Sequence, residues 1–176
     1  MDKEQKGTLE KILQVANKEF LAKGFKDASL RAIVKEAGVT TGAFYGYFKS
    51  KEELFDALVK EHADYIMNIY DSILEDFQKL PVDQQTSFMD SNSHYGIEKM
   101  FDYVWEHKEP FLLISNSSAG TKYENFIQQI AEKDIASTET FLNTMEKNGK
   151  KVERIDPIIE ELVINNTFNM FFNLIL

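Results

Sequence analysis

The sequence predicts an all-α chain, with a head of three short helices on a larger helical bundle. Apolar residues recur at spacings of three and four along most of its length, the mark of helices that bury one face. Capping and stopping residues punctuate this pattern closely in the first third and sparsely afterwards. A last segment, from Ile158 to Ile175, is apolar on nearly every side and needs cover from several neighbours.

In the head, Leu9, Ile12, Leu13, Ala16 and Phe20 form one face of a first helix. Lys23 and Gly24 close it, a cation in the last turn and then a residue free to adopt positive φ. Ser29 caps a second helix with Leu30, Ile33, Val34 and Ala37 inward. Gly38 makes the tight turn that follows. Thr40 or Thr41 caps a third helix, buried through Phe44 and Phe48, so that Tyr45 and Tyr47 point elsewhere. Ser50-Lys51-Glu52-Glu53 matches a capping box, with Glu53 reaching back to Ser50, and opens a fourth helix near Lys51.

Helix, tight turn and short helix in this order read as a helix-turn-helix. The third helix is polar at its start, aromatic behind, and flanked by Lys49 and Lys51, with no acidic residue from Thr40 to Lys51. That make-up suits the major groove of DNA. The net charge of −9 argues superficially against a nucleic-acid partner. Its distribution answers the objection: residues 1–55 hold ten Lys/Arg against eight Asp/Glu, the remainder ten against twenty-one. Phosphate affinity follows local charge, and the acidic body reads as solvated surface.

Each residue of the expected interface has a role. Gly42 and Ala43 are small enough for close approach to base edges, with Ala43 able to touch a thymine methyl. Tyr45 is expected on phosphate, and Tyr47 on phosphate or base. Thr40 and Thr41 can bond phosphate while capping, and Ser29 and Arg31 can grip the flanking backbone. The first amides of the fourth helix, with Lys49 and Lys51, form a phosphate seat.

The runs Phe20–Phe25, Ser29–Val39 and Gly42–Leu54 together resemble the tetracycline-repressor (TetR) family of bacterial transcriptional regulators. The likeness covers about the first third of the chain. It implies an all-α homodimer with two DNA-binding heads on a ligand-sensing body, and it aligns Lys51 with a phosphate-binding lysine. One departure is Gly46, where the family usually carries a side chain that can reach DNA, so base readout is expected to be thinner. The domains expected are 1–50, the helix-turn-helix, and 51–176, the ligand-binding and dimerisation body.

In the body, Leu54, Leu58, Tyr65, Ile69, Ile73 and Leu80 predict a stripe along a long fourth helix ending near Pro81. Residues 82–93 read as a loop or a short helix. Residues 94–108 read as a helix with Ile97, Phe101, Val104 and Trp105 on one side, and Pro110 restarts the chain. The cluster 116–121 breaks it, and a long helix over 123–147 stops at Asn148-Gly149. Asp156-Pro157 opens the final helix. Glu160, Glu161 and four asparagines interrupt its apolar run, which argues against membrane insertion and for a subunit interface. The pattern is still running at Leu176, so the natural helix is expected to continue.

No signal-peptide pattern precedes the head, so the cytoplasm is the default location. The absence of cysteine excludes disulfides, cysteine-zinc sites and a thiol nucleophile. No phosphate-cradling glycine loop or nucleophile elbow is present, so no catalytic residue, cofactor or metal site is expected. His94, Glu98 and Asp102 fall at four-residue steps, but such a row is usually a solvated face.

Most aromatic residues of the body are read as core packing. The resemblance nevertheless places a ligand chamber among the fourth helix, 94–108 and 110–118. The expected lining is Met100, Phe101, Trp105, Phe111 and Tyr123, with His94 and Asn166 as polar fixtures. The function expected is a regulator, a repressor released from a pseudo-palindromic operator by a small molecule. The alternatives are a helical sensor or scaffold without operator binding and a small helical enzyme using the histidines.

Overall fold

The computed structural model describes residues 3–176, with side chains described for 4–85 and 98–176. The described residues form α-helices joined by turns: α1 (Lys3–Asp27), α2 (Leu30–Glu36), α3 (Thr41–Tyr47), α4 (Lys51–Lys79), α5 (Val82–Glu106), α6 (Lys108–Ser117), α7 (Phe126–Lys147) and α8 (Pro157–Ile175). The helical class expected from the spacing is the class observed. The chain packs as two compact units, residues 1–63 with 109–124, and 64–108 with 125–176. The first unit thus takes the opening of α4 and all but the first residue of α6 along with the head, whereas the sequence reading draws its line at 50/51.

In the first unit, the inward faces of α1, α2 and α3 meet through Ile12, Ala16, Phe20, Ile33 and Phe44, each fully buried. Phe20 and Phe25 set their rings edge-on to Phe55, with centroids 5.1 and 5.5 Å away. Gly24 breaks α1 at φ 74°, a conformation that a side chain resists, and the chain turns there towards α2. The Glu19 carboxylate accepts from the main-chain N–H of Ser29 and from Lys23, which hold it below its ordinary pKa. Phe111 is fully buried in this unit, and Tyr123 donates to Asp56, which also pairs with Lys122.

In the second unit, the remainder of α4 packs with α5, α7 and α8. The buried residues of α4 are Leu54, Phe55, Val59, Ala63, Ile66, Tyr70 and Phe77. The stripe predicted through Leu58, Tyr65, Ile69 and Ile73 is the flank of that face; Tyr65 is exposed, and the other three are half-buried. Two apolar series run side by side on this helix, and the one bearing the larger aromatics faces inward. Residues 82–93 are neither a loop nor a separate short helix, because α5 runs unbroken through them. Ser118 and Thr121 organise the turn before α7, which starts at Phe126, three residues later than the apolar pattern suggests.

Candidate nucleic-acid interface and effector chamber

The turn between α2 and α3 is built as the sequence implies. The Ser29 hydroxyl accepts from the Ala32 N–H at 3.3 Å, and the Thr40 hydroxyl accepts from the Ala43 N–H at 3.1 Å. Gly38 sits between them at φ 67°, and a Cβ there would meet the Lys11 ammonium at 3.4 Å. Phe44 and Phe48 are buried, which turns Thr41, Gly42, Ala43, Tyr45 and Gly46 outward together. This face is small, uncharged and set on a rigid base. Arg31 and Lys49 are exposed beside it.

Three expected contacts are committed elsewhere. The Lys51 ammonium donates to the carbonyls of Phe25 at 2.6 Å, Ala28 at 3.0 Å and Lys26 at 3.2 Å, and lies over the Phe25 ring. An ammonium has three N–H groups, so none remains for a phosphate. Tyr47 is half-buried and donates its hydroxyl to the carbonyl of Gln5 at 3.2 Å. At the start of α4, the Glu53 N–H donates to Ser50, while the Glu53 carboxylate accepts from the Lys49 N–H, not from Ser50. The chain's own oxygen atoms thus occupy the phosphate seat expected there.

A cavity of about 490 Å³ lies in the second unit, well within the size range of small-molecule sites. Three helices build it with one repeated spacing: Tyr70, Ile73, Leu74 and Phe77 on α4; Asp134, Ser137, Thr138 and Phe141 on α7; Ile164, Thr167, Phe168 and Phe171 on α8. Each quartet falls at i, i+3, i+4 and i+7, so each is one helical face turned inward. Met100, Met170 and Leu174 complete the wall. The Tyr70 hydroxyl donates to the Asp134 carboxylate. Burial raises both pKa values, that of Asp134 against the effect of this bond and that of Tyr70 with the help of the neighbouring negative charge.

Of the lining expected from the sequence, Met100 is present. Phe101 and Trp105 are exposed and stacked on each other, with Lys108 over the indole. Phe111 and Tyr123 belong to the first unit, and Asn166 is exposed on α8 away from the cavity. The side chain of His94 lies outside the described residues, as does the start of the His94–Glu98–Asp102 row. The four-residue register of α7 and α8 carried the missed signal, obscured by the apolar surplus of α8.

The chain thus joins a helix-turn-helix head to an all-helical body that carries a largely apolar cavity. Residues 12–58 match the family model of bacterial regulatory proteins, tetR family. The HTH-type transcriptional regulator YdgC of Bacillus subtilis is 31% identical over 99 residues, 56% of this chain and 48% of that protein. The HTH-type transcriptional repressor KstR2 of Mycolicibacterium smegmatis is 32% identical over 66 residues, 38% of this chain and 32% of its own length. The chain thus spans about half or less of these relatives. Among solved structures, a TetR family transcriptional regulator from Chloroflexus aurantiacus shares the fold at a TM-score of 0.59, with 18% identity, covering 98% of this chain and 76% of that one. The head of this chain, over residues 12–58, is thus similar to the tetR family of bacterial regulatory proteins. Among the described residues, no helix is long and apolar enough to cross a membrane.

Proposed function

We propose that the protein is a DNA-binding transcriptional regulator, a repressor that leaves its operator when a small molecule occupies the cavity of the second unit. The observation that carries this is the outward face of α3. Thr41, Gly42, Ala43 and Tyr45 stand free of the core on a helix fixed from behind by Phe44 and Phe48. Such a face offers close approach to base edges, a hydroxyl and an aromatic ring for the backbone, and no charge that would repel phosphate. Thr40, Ser29, Arg31 and Lys49 surround it as backbone contacts. The HTH-type transcriptional regulators that the head resembles support the same reading.

The working unit in this reading is a homodimer in the cytoplasm, joined through α7 and α8. Ile155, Ile158, Ile159, Leu162 and Val163 are each more than half exposed, a concentration of apolar surface that a lone chain would leave in water. Two heads then meet half-sites about 34 Å apart, one turn of DNA. Helix α4 contributes to both compact units, so a ligand that displaces Tyr70–Phe77 acts on the same helix that begins at the head.

The test is retention of fragments from the source genome by the full chain, followed by mobility shifts on the fragments recovered. Operator-length DNA retained by the native protein and lost by Tyr45→Ala, with helix content intact, supports the reading. Native protein that selects no sequence defeats it and leaves a helical sensor without operator binding, the reading that Gly46 and the committed Lys51 favour.

A further inference from the structure

The cavity's chemistry narrows the class of ligand, taking as its base the effector-chamber reading above. Its described lining holds one ionisable acid, Asp134, and no lysine or arginine. Among the described residues the Asp134 carboxylate takes a hydrogen bond from Tyr70 and has no cationic partner of its own. The nearest cation by sequence, Lys133, pairs with Asp71 instead, which leaves the group of Tyr70, Asp71, Lys133 and Asp134 with one carboxylate in excess. Five aromatic rings, of Tyr70, Phe77, Phe141, Phe168 and Phe171, make up much of the remaining wall. Phe168 stands edge-on to Tyr70 at 5.8 Å, and Phe77 to Phe141 at 5.4 Å.

We propose that the cavity binds a lipophilic monocation, an organic ammonium or phosphonium compound, with Asp134 as its counter-ion and the aromatic wall around its charge. A carboxylate set against an apolar wall, with a hydroxyl but no cation beside it, is unfavourable, and a cation brought in from solvent supplies the missing charge at short range. Aromatic faces attract the same cation and cost nothing to an apolar remainder. A lipophilic anion meets the opposite balance: apolar contact of the same extent, a carboxylate that repels it, and no base in the described wall to compensate. Thr167, Thr138 and Ser137 offer hydroxyl groups but no net charge. Burial raises the Asp134 pKa above its ordinary value, the direction expected of a carboxylate with no cation beside it.

Equilibrium dialysis of the full chain against three probes tests this: tetraphenylphosphonium, its near-isostere of opposite charge tetraphenylborate, and neutral phenylnaphthylamine. Moderately high salt screens the acidic surface, so that the half-buried carboxylate of the cavity dominates the comparison. The phosphonium should bind at least about tenfold tighter than the borate. Asp134→Asn keeps the size of the side chain and an acceptor for Tyr70. It should remove most of that preference while leaving phenylnaphthylamine affinity unchanged. If the neutral probe binds but the phosphonium is no better than the borate, or the preference survives Asp134→Asn, the counter-ion proposal is overturned and the chamber stands. If none of the three binds, the chamber reading itself falls. Should Asp134→Asn fail to fold, the charge comparison on the native protein decides alone.

Discussion

The ammonium of Lys51, at the first residue of α4, donates to the main-chain carbonyl of Phe25 near the end of α1, 2.6 Å away. Two further carbonyls, of Lys26 and Ala28, take its remaining N–H groups, so one side chain closes the C-terminal turn of α1 and fixes the start of α4 against it. The first prediction follows from that commitment. Lys51→Met keeps the stem over Phe25 but strands three carbonyls. It should destabilise the protein by about 1–3 kcal/mol, the scale of hydrogen bonds to a charged donor. Chemical denaturation measures this. The salt slope of DNA binding should not change, whereas loss of a phosphate contact would lower it by about 0.9. A lowered slope with stability intact would place the ammonium on DNA.

The contrast shows where sequence reading works and where it stops. Ser29, Gly38, Thr40 and Phe44 were legible because local rules of capping, turn geometry and helical spacing fix them within a few residues. Lys51 was not, since its partners lie 23 to 26 positions away and a cation near a helix start looks the same whether it faces carbonyls or phosphate. The cavity failed for a related reason. Phe101 and Trp105 are large and apolar, and nothing local says that Met100 and Val104 are the residues turned inward on α5. By contrast, Tyr70, Asp134 and Phe168 become neighbours only when three helices are placed together.

Gly46 gives a second prediction. A Cβ built there meets nothing within 4 Å, and its backbone is helical, so the position holds glycine without a local steric reason. Gly46→Ala should therefore raise stability by about 0.5–1 kcal/mol by restricting the unfolded chain. Thermal unfolding checks the gain. A loss instead would mean that the residue needs a conformation the helix assignment does not provide.

The third prediction concerns the apolar face of α8. Leu162 is 57% exposed between Ile158, Ile159 and Val163, and a glutamate there would leave a single chain undisturbed. If this face joins two copies, Leu162→Glu should turn a dimer into a monomer at micromolar concentration with helix content unchanged, because an unpaired charge at the centre of a specific interface of ~1,000 Å² or more is strongly unfavourable. Sedimentation velocity of the two proteins decides it. A native chain that is already monomeric removes the α7–α8 interface from the account.

The fourth prediction uses the sign of the Asp134 shift. Burial is the largest influence on this carboxyl and raises its pKa above the ordinary 3.8, while the Tyr70 hydroxyl acts in the opposite direction. The groups around it do not alter that direction: the Tyr70 hydroxyl is itself pushed upward by burial and by Asp134, and Lys133 is engaged with Asp71. An acid whose folded pKa is raised holds its proton more tightly when folded than when unfolded. Its contribution to stability is then complete below 3.8 and is lost as pH rises through the folded value. Asp134→Asn carries no charge to bury at any pH. Relative to the native protein, the variant should therefore gain in melting temperature as pH rises from about 4 towards neutrality, with the two curves converging at the acid end. The ligand-free protein should thus be more stable without the carboxylate that the cation requires, the usual relation between a functional group and the fold that carries it. A variant less stable than the native protein at neutral pH, with the gap closing in acid, would show that Asp134 is already compensated by the protein itself.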